Sequence, residues 1–172
     1  MELNIEYIFI LCVLYINDIG DDLMNNHMEI PWHEYTNKDS KVKIENASLT
    51  EKSSIIGRIG LMLLACGTGA WRVRSSMNTI ASELNITCIA DIGLTNISYT
   101  CIDGIESHAQ SLSLHNTSVN TSKLARMEDF VYHFKDECKT CTCNEIHNQL
   151  DQIDDASIFI GQVKHLEFDL IR

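Results

Sequence analysis

The feature that most constrains this chain is a change of hydrophobic period just after Leu84. Up to that point apolar residues recur every three or four positions, and from Thr87 they alternate. A chain that does both must set helices beside a sheet. Ser48-Leu49-Thr50-Glu51 has the form of a capping box, in which hydroxyl and carboxylate each satisfy a free backbone N–H. Ile55, Ile59, Met62, Leu63 and Cys66 follow at helical spacing, and Gly67 and Gly69 predict the helix end. A second helix is expected from about Ala70, with Val73, Met77, Ile80, Ala81 and Leu84 on one stripe. Gly57 and Gly60 lie inside the first helix. Their missing side chains would let another backbone approach, so the apolar surface beside them is the expected docking face.

The alternating region begins with Thr87 to Ile92, rich in β-branched residues. Ile97, Tyr99 and Cys101 then alternate with Ser98, Thr100 and Ile102. Asp103-Gly104 predicts a two-residue hairpin turn, and Gln110 to Leu114 a third strand with Leu112 and Leu114 on one face. Leu124, Met127, Val131 and Phe134 then mark a third helix. Thr142-Cys143-Asn144-Glu145 opens a fourth with a second capping box, followed by Ile146, Leu150 and Ile153. Two helices, a small antiparallel three-stranded sheet and two more helices make an α+β domain. Its expected span is 48–155. Residues 1–47 read as a weakly structured acidic leader around Pro31 and Trp32, with nine acids against three bases, and 156–172 as a short tail.

Composition removes several classes of function. The net charge of −11 over 172 residues argues against a nucleic-acid surface, which needs clustered Lys and Arg. It also disfavours docking on anionic lipid. The apolar run from Ile5 to Ile16 would reach about 18 Å as a helix, against roughly 30 Å of bilayer hydrocarbon. Glu2 and Glu6 stand where a secretory signal needs positive charge, so a cytoplasmic location is expected. The seven cysteines are then free thiols or metal ligands rather than bridges. The five Asn-x-Ser/Thr sequences, at Asn46, Asn85, Asn96, Asn116 and Asn120, carry no glycosylation argument in that setting.

Candidate chemistry concentrates in Cys138, Cys141, Cys143 and His147. Thiolates and imidazole are the ligands zinc prefers, and Cys143 and His147 would lie one helical turn apart. Structural zinc sites, however, join two separated ligand pairs, and this cluster pins a single loop. The expectation is free, protonated thiols and no cofactor, with zinc as the alternative. A redox role for Cys138 and Cys141 lacks the thioredoxin-like strand–helix context. Gly67-Thr68-Gly69 could hold a phosphate at a helix start, but reads more simply as a tight turn. Arg72 is a candidate for an anionic ligand. Asp91 is a candidate functional carboxylate. A small hydrolase could be assembled from Asp91, a cysteine such as Cys66 or Cys88, and one of His108, His115 and His133, though no nucleophile motif accompanies them. Cys66 and Cys88 fit the core better.

Gly57 to Val73 resembles the opening of the soluble N-terminal domain of the threonine/serine exporter family. That family shows an apolar helix, a small-residue turn and an aromatic-Arg-Val start to the next helix, here Gly67, Trp71, Arg72 and Val73. Ile92-Gly93-Leu94 is similar to the family's Thr-Gly-Ile-like element, Val119-Asn120 to its Ile-Asn element, and Glu145 to Ile153 to its closing helix. The resemblance spans about Ile55 to Ile153 and adds Asn120 to Arg72 and Asp91 as candidate substrate-binding residues. It implies a gating, assembly or sensing domain without enzyme activity, on the cytoplasmic face of the cell membrane. Its expected partner is a polytopic membrane subunit or membrane domain, which would export small hydrophilic amino acids or related acids. The chain alone would not be transport-competent. The alternative is a plain interaction module that self-associates through the helix pair, as a homo-oligomer, and needs no such partner.

Overall fold

The computed structural model describes residues 30–36, 41–114 and 117–154. The chain divides into two units, Met1–Pro31 and Trp32–Arg172, and every element described below lies in the second. The expected tail and most of the acidic leader fall outside the described residues, as does His115.

Helix α1, Leu49–Ala65, is the centre of the unit. Its capping box forms: Glu51 N–H donates to Ser48 Oγ at 3.3 Å, and Ser48 N–H donates to Glu51 Oε2 at 3.0 Å. Every residue from Lys52 to Leu64 is buried. A helix buried all round is a core helix, and its partners must cover polar as well as apolar side chains. Gly67, at φ +73°, turns the chain into helix α2, Ala70–Glu83. The α2 stripe predicted from spacing is the buried one: Val73, Met77, Ile80, Ala81 and Leu84 are all 2% exposed or less.

Strands β1 (Thr87–Ile92), β2 (Asn96–Asp103) and β3 (Glu106–Ser113) form an antiparallel sheet in that order. Ile97, Tyr99 and Cys101 alternate inward as expected and are buried. The opposite face carries Ile89, Asp91, Ser98, Thr100, Ala109 and Ser111 around a shallow, open depression. The β2–β3 turn differs from expectation by one position. Asp103 pairs with Glu106, so the loop is Gly104-Ile105, with positive φ at Gly104 alone. That places the glycine at the first central position, which is the type II′ requirement rather than type I′.

Helix α3 spans Thr121–Glu137 and buries Met127 and Phe134. Residues 143–154 form helix α4, opened by the second capping box: Thr142 N–H donates to Glu145 Oε2 at 2.7 Å, and Glu145 N–H to Thr142 Oγ1 at 3.3 Å. Among the described residues, four helices with a three-stranded antiparallel sheet give the α+β class. Two 3-10 turns, Trp32–Tyr35 and Ile44–Asn46, precede α1. Ile44 is fully buried, and its N–H donates to Cys141 O at 2.8 Å.

The first helix does not offer the apolar docking face expected beside Gly57 and Gly60. What approaches these glycines is side chain, not backbone. A Cβ on Gly57 would lie 2.1 Å from Tyr99 Oη, and one on Gly60 would lie 2.6 Å from Met77 Sδ. The two notches receive β2 and α2, and the surface is already covered.

Candidate functional site

The chemistry of the unit gathers on the side of α1 away from the sheet. Ser54 and Arg58 lie one turn apart there and are 0% and 5% exposed. Helix α4 supplies His147 and Asp151, again one turn apart, and the first 3-10 turn supplies Trp32 and His33. A guanidinium held this deep must be paired and fully hydrogen-bonded to be tolerated. Arg58 Nη2 donates to Asp151 Oδ1, and Nη1 donates to the His147 carbonyl at 3.1 Å. His33 reaches the other Asp151 oxygen at 2.8 Å and Asn144 Oδ1 at 3.0 Å. Trp32 stacks on the His147 ring at 6.2 Å between centroids and 21° between planes, and the Arg58 guanidinium lies 6.0 Å from the Trp32 centroid.

Hydrogen bonding fixes the state of His147. The Ser54 hydroxyl donates its one proton to Glu51 O at 2.7 Å. Its oxygen is then an acceptor for His147 Nε2–H at 3.1 Å. The other ring nitrogen, Nδ1, accepts from Arg58 Nη1 at 3.3 Å. The imidazole is therefore neutral and carries its proton on Nε2. Burial, the Arg58 charge and the nearby His33 together pull its pKa down to about 3, with Asp151 opposing. For Asp151, burial pushes upward, but the hydrogen bonds and charges of Arg58 and His33 outweigh it and hold the carboxyl below its ordinary range.

Ser54, His147 and Asp151 look like hydrolase parts, but their arrangement is not that of a nucleophile and its base. The serine proton already points at a backbone carbonyl. His147 donates to Ser54 instead of accepting from it, and faces an arginine where a triad histidine faces a carboxylate. A histidine this acidic is a poor base at neutral pH. What the arrangement does do is clamp α1, α4 and the Trp32–Tyr35 turn together.

The residues singled out from sequence are dispersed. Arg72 pairs with Glu128 on α3 at 3.1 Å and lies 5.4 Å from the Trp71 ring centroid. Asp91 is exposed on the outer face of the sheet, whereas Cys88, Cys101 and His108 occupy the inner face. His133 sits on α3 against Asp129, and Cys66 is buried where α1 ends. The hydrolase grouping of Asp91 with a cysteine and a histidine is thus not brought together. Asn120 is the N-cap of α3, its side chain accepting from Lys123 N–H at 2.9 Å. Val73 is core, Gly67 supplies the left-handed turn, and the Gly93 N–H closes the β1–β2 turn on Asn96 O at 2.8 Å.

The cysteine cluster separates as well. Cys138 Sγ faces Gln149 Oε1 at 3.5 Å, Cys141 Sγ faces Glu137 O at 3.3 Å, and Cys143 Sγ faces Glu51 O at 3.7 Å. Burial pushes the Cys138 and Cys143 thiols up to about 12 and raises Cys141. Among the described residues, no three His, Cys, Asp or Glu side chains are placed to share a metal ion.

The threonine/serine exporter family model, ThrE, matches residues 54–161, well over half of the chain. The match opens at Ser54 and runs through α1, α2, the sheet, α3 and the described part of α4. The chain belongs to the threonine/serine exporter family. No curated protein and no solved structure matches it. Arg58, His147 and Asp151 of this exporter-family domain all lie inside the matched region, while Trp32 and His33 precede it. Among the described residues, no helix is long and apolar enough to cross a membrane.

In this polar seam between α1, α4 and the Trp32–Tyr35 turn, residue order marks Trp32 only as part of an acidic leader and His147 only as a possible metal ligand. One signal was present. Arg58 lies three residues after Ile55 and four before Met62, on the apolar stripe itself. A charge in that position needs a buried partner, and His147 and Asp151 are spaced to share one helix face.

Proposed function

We propose that this domain serves a threonine/serine exporter as a gating, assembly or sensing element at the cytoplasmic face of the cell membrane. It acts with a membrane-spanning part, carried on the same polypeptide or on a polytopic partner subunit. The exported cargo is a small hydrophilic amino acid or a related acid. The family match over residues 54–161 carries this reading. The absence of a membrane-crossing helix among the described residues is compatible with it, because conduction would fall to the partner.

The seam supports a mechanical rather than a catalytic part. A polar cluster whose members are paired across three segments holds those segments in one relation, and a domain that passes a signal needs such rigidity. The reading takes the thiols as free and calls for no cofactor. It takes Arg72 and Asn120 as structural: the first pairs with Glu128, and the second caps α3.

The test is purification of the full chain from native membranes in mild detergent, alongside efflux of labelled threonine from cells with and without it. The reading expects a polytopic protein to be attached to or to copurify with the chain, and efflux to fall when the chain is removed. Absence of any polytopic protein, together with unchanged efflux, contradicts it.

A further inference from the structure

Strand register sets Cys88 of β1 directly opposite Cys101 of β2. Directly opposed residues lie on the same face of a sheet, here the inner one. The register also says what kind of pair this is. Gly93 N–H donates to Asn96 O at 2.8 Å, so these two residues form a hydrogen-bonded pair at the turn. Hydrogen-bonded and non-hydrogen-bonded pairs alternate along an antiparallel ladder. Counting back along the register from Gly93, the Cys88–Cys101 pair is non-hydrogen-bonded. Such pairs bring Cα atoms to about 4.5 Å, inside the roughly 4.4–6.8 Å that a disulfide bridges. Both cysteines are free.

We propose that Cys88 and Cys101 are a redox-modifiable dithiol, converted by a hydroperoxide into a cross-strand disulfide within the domain. The accessible sulfur is Cys88, half-buried on an edge strand, while Cys101 is fully buried. The Cys88 sulfur gives up its proton as it attacks one peroxide oxygen, the O–O bond breaks, and the leaving hydroxide takes that proton as water. Cys88 is then a sulfenic acid. The Cys101 thiolate attacks the Cys88 sulfur, the S–S bond forms, the S–O bond breaks, and a second water leaves. The two thiols lose two electrons and two protons, and the peroxide is reduced to two waters.

Cross-strand placement favours this pair over the other thiols. The neighbouring Cys101 and burial push the Cys88 thiol up, while the neighbouring Cys88 holds Cys101 down against the push of burial. The next member of the cross-strand row is His108, so no carboxylate sits directly opposite either sulfur. Cys138 and Cys141, by contrast, are turned to different groups, Gln149 Oε1 and Glu137 O.

The folded full chain is treated with about one equivalent of hydrogen peroxide, blocked with an alkylating reagent, digested and analysed by mass spectrometry. The expected first product is a single linked peptide pair joining Cys88 to Cys101, lighter by two hydrogen atoms and restored by dithiothreitol. In Cys88→Ser, whose position is half-exposed, the link is lost and Cys101 stays alkylatable after denaturation. A first disulfide within Cys138, Cys141 and Cys143, or oxidation of Cys88 to sulfinic acid without a link to Cys101, overturns the proposal.

Discussion

The two sides of α1 are both buried, and they are held in opposite ways. Toward the sheet and α2 the contact is apolar and shape-determined: Tyr99 and Met77 fill the notches at Gly57 and Gly60. Toward α4 and the Trp32–Tyr35 turn the contact is polar and pairing-determined: Arg58, His147, Asp151 and His33 satisfy one another. The comparison teaches that burial alone does not tell how a helix is held. The apolar side tolerates no added volume. The polar side tolerates no lost partner.

The largest effect is expected on the apolar side. Gly57→Val places a Cβ where Tyr99 Oη now sits and breaks the 2.9 Å bond from that hydroxyl to Ser53 O. Overpacking plus the loss of a buried hydrogen bond should cost about 3 kcal/mol or more. The urea unfolding midpoint measures it. A loss under about 1 kcal/mol would mean the notch can open and is not shape-determined.

On the polar side, Arg58→Met keeps the length of the side chain but removes the charge. Breaking a fully buried ion pair costs about 3–5 kcal/mol, but Asp151 is 41% exposed, so water rescues part of it. The expected loss is about 2 kcal/mol, read from the same urea midpoint, with the Asp151 carboxyl moving back up toward its ordinary range by NMR titration. A variant as stable as the parent would show that the guanidinium is only an apolar stem here.

A third effect separates the sides by acid. His147 has a folded-state pKa of about 3 against an ordinary 6.5. Above 6.5 neither state takes a proton at this site. Below it the unfolded chain protonates and the folded one does not, so stability falls with pH until about 3. The slope should be about 1 kcal/mol per pH unit. Asp151, held below its ordinary 3.8, adds its loss only under that value. His147→Asn should flatten the decline between pH 6 and 4, whereas Gly57→Val should leave its slope unchanged.

The same contrast explains what was legible in the sequence. Periodicity reports apolar contact, so the stripe of α2, the inward set Ile97, Tyr99 and Cys101, and both capping boxes could be read from residue order. The notches at Gly57 and Gly60 were visible, but not what fills them, because a glycine records that something comes close without recording what. The seam was nearly invisible. Ser54 and Arg58 are buried against α4 and the Trp32–Tyr35 turn, both distant in sequence. The acidic composition around Trp32 hid a turn that packs on α1. His147 was noticed for its spacing from Cys143, yet its partners are Ser54 and Arg58, and spacing within one segment cannot report a contact across roughly ninety residues.

The central claim is that the seam holds His147 neutral, with its proton on Nε2, between Ser54 and Arg58. The most direct measurement is an NMR titration of the His147 ring nitrogens in the folded chain from pH 8 to pH 4. The account predicts one unprotonated nitrogen, assigned to Nδ1, unchanged across that whole range while the unfolded chain titrates near 6.5. A His147 ring that takes up a proton near pH 6.5 in the folded domain, or that carries its neutral-state proton on Nδ1, would contradict it.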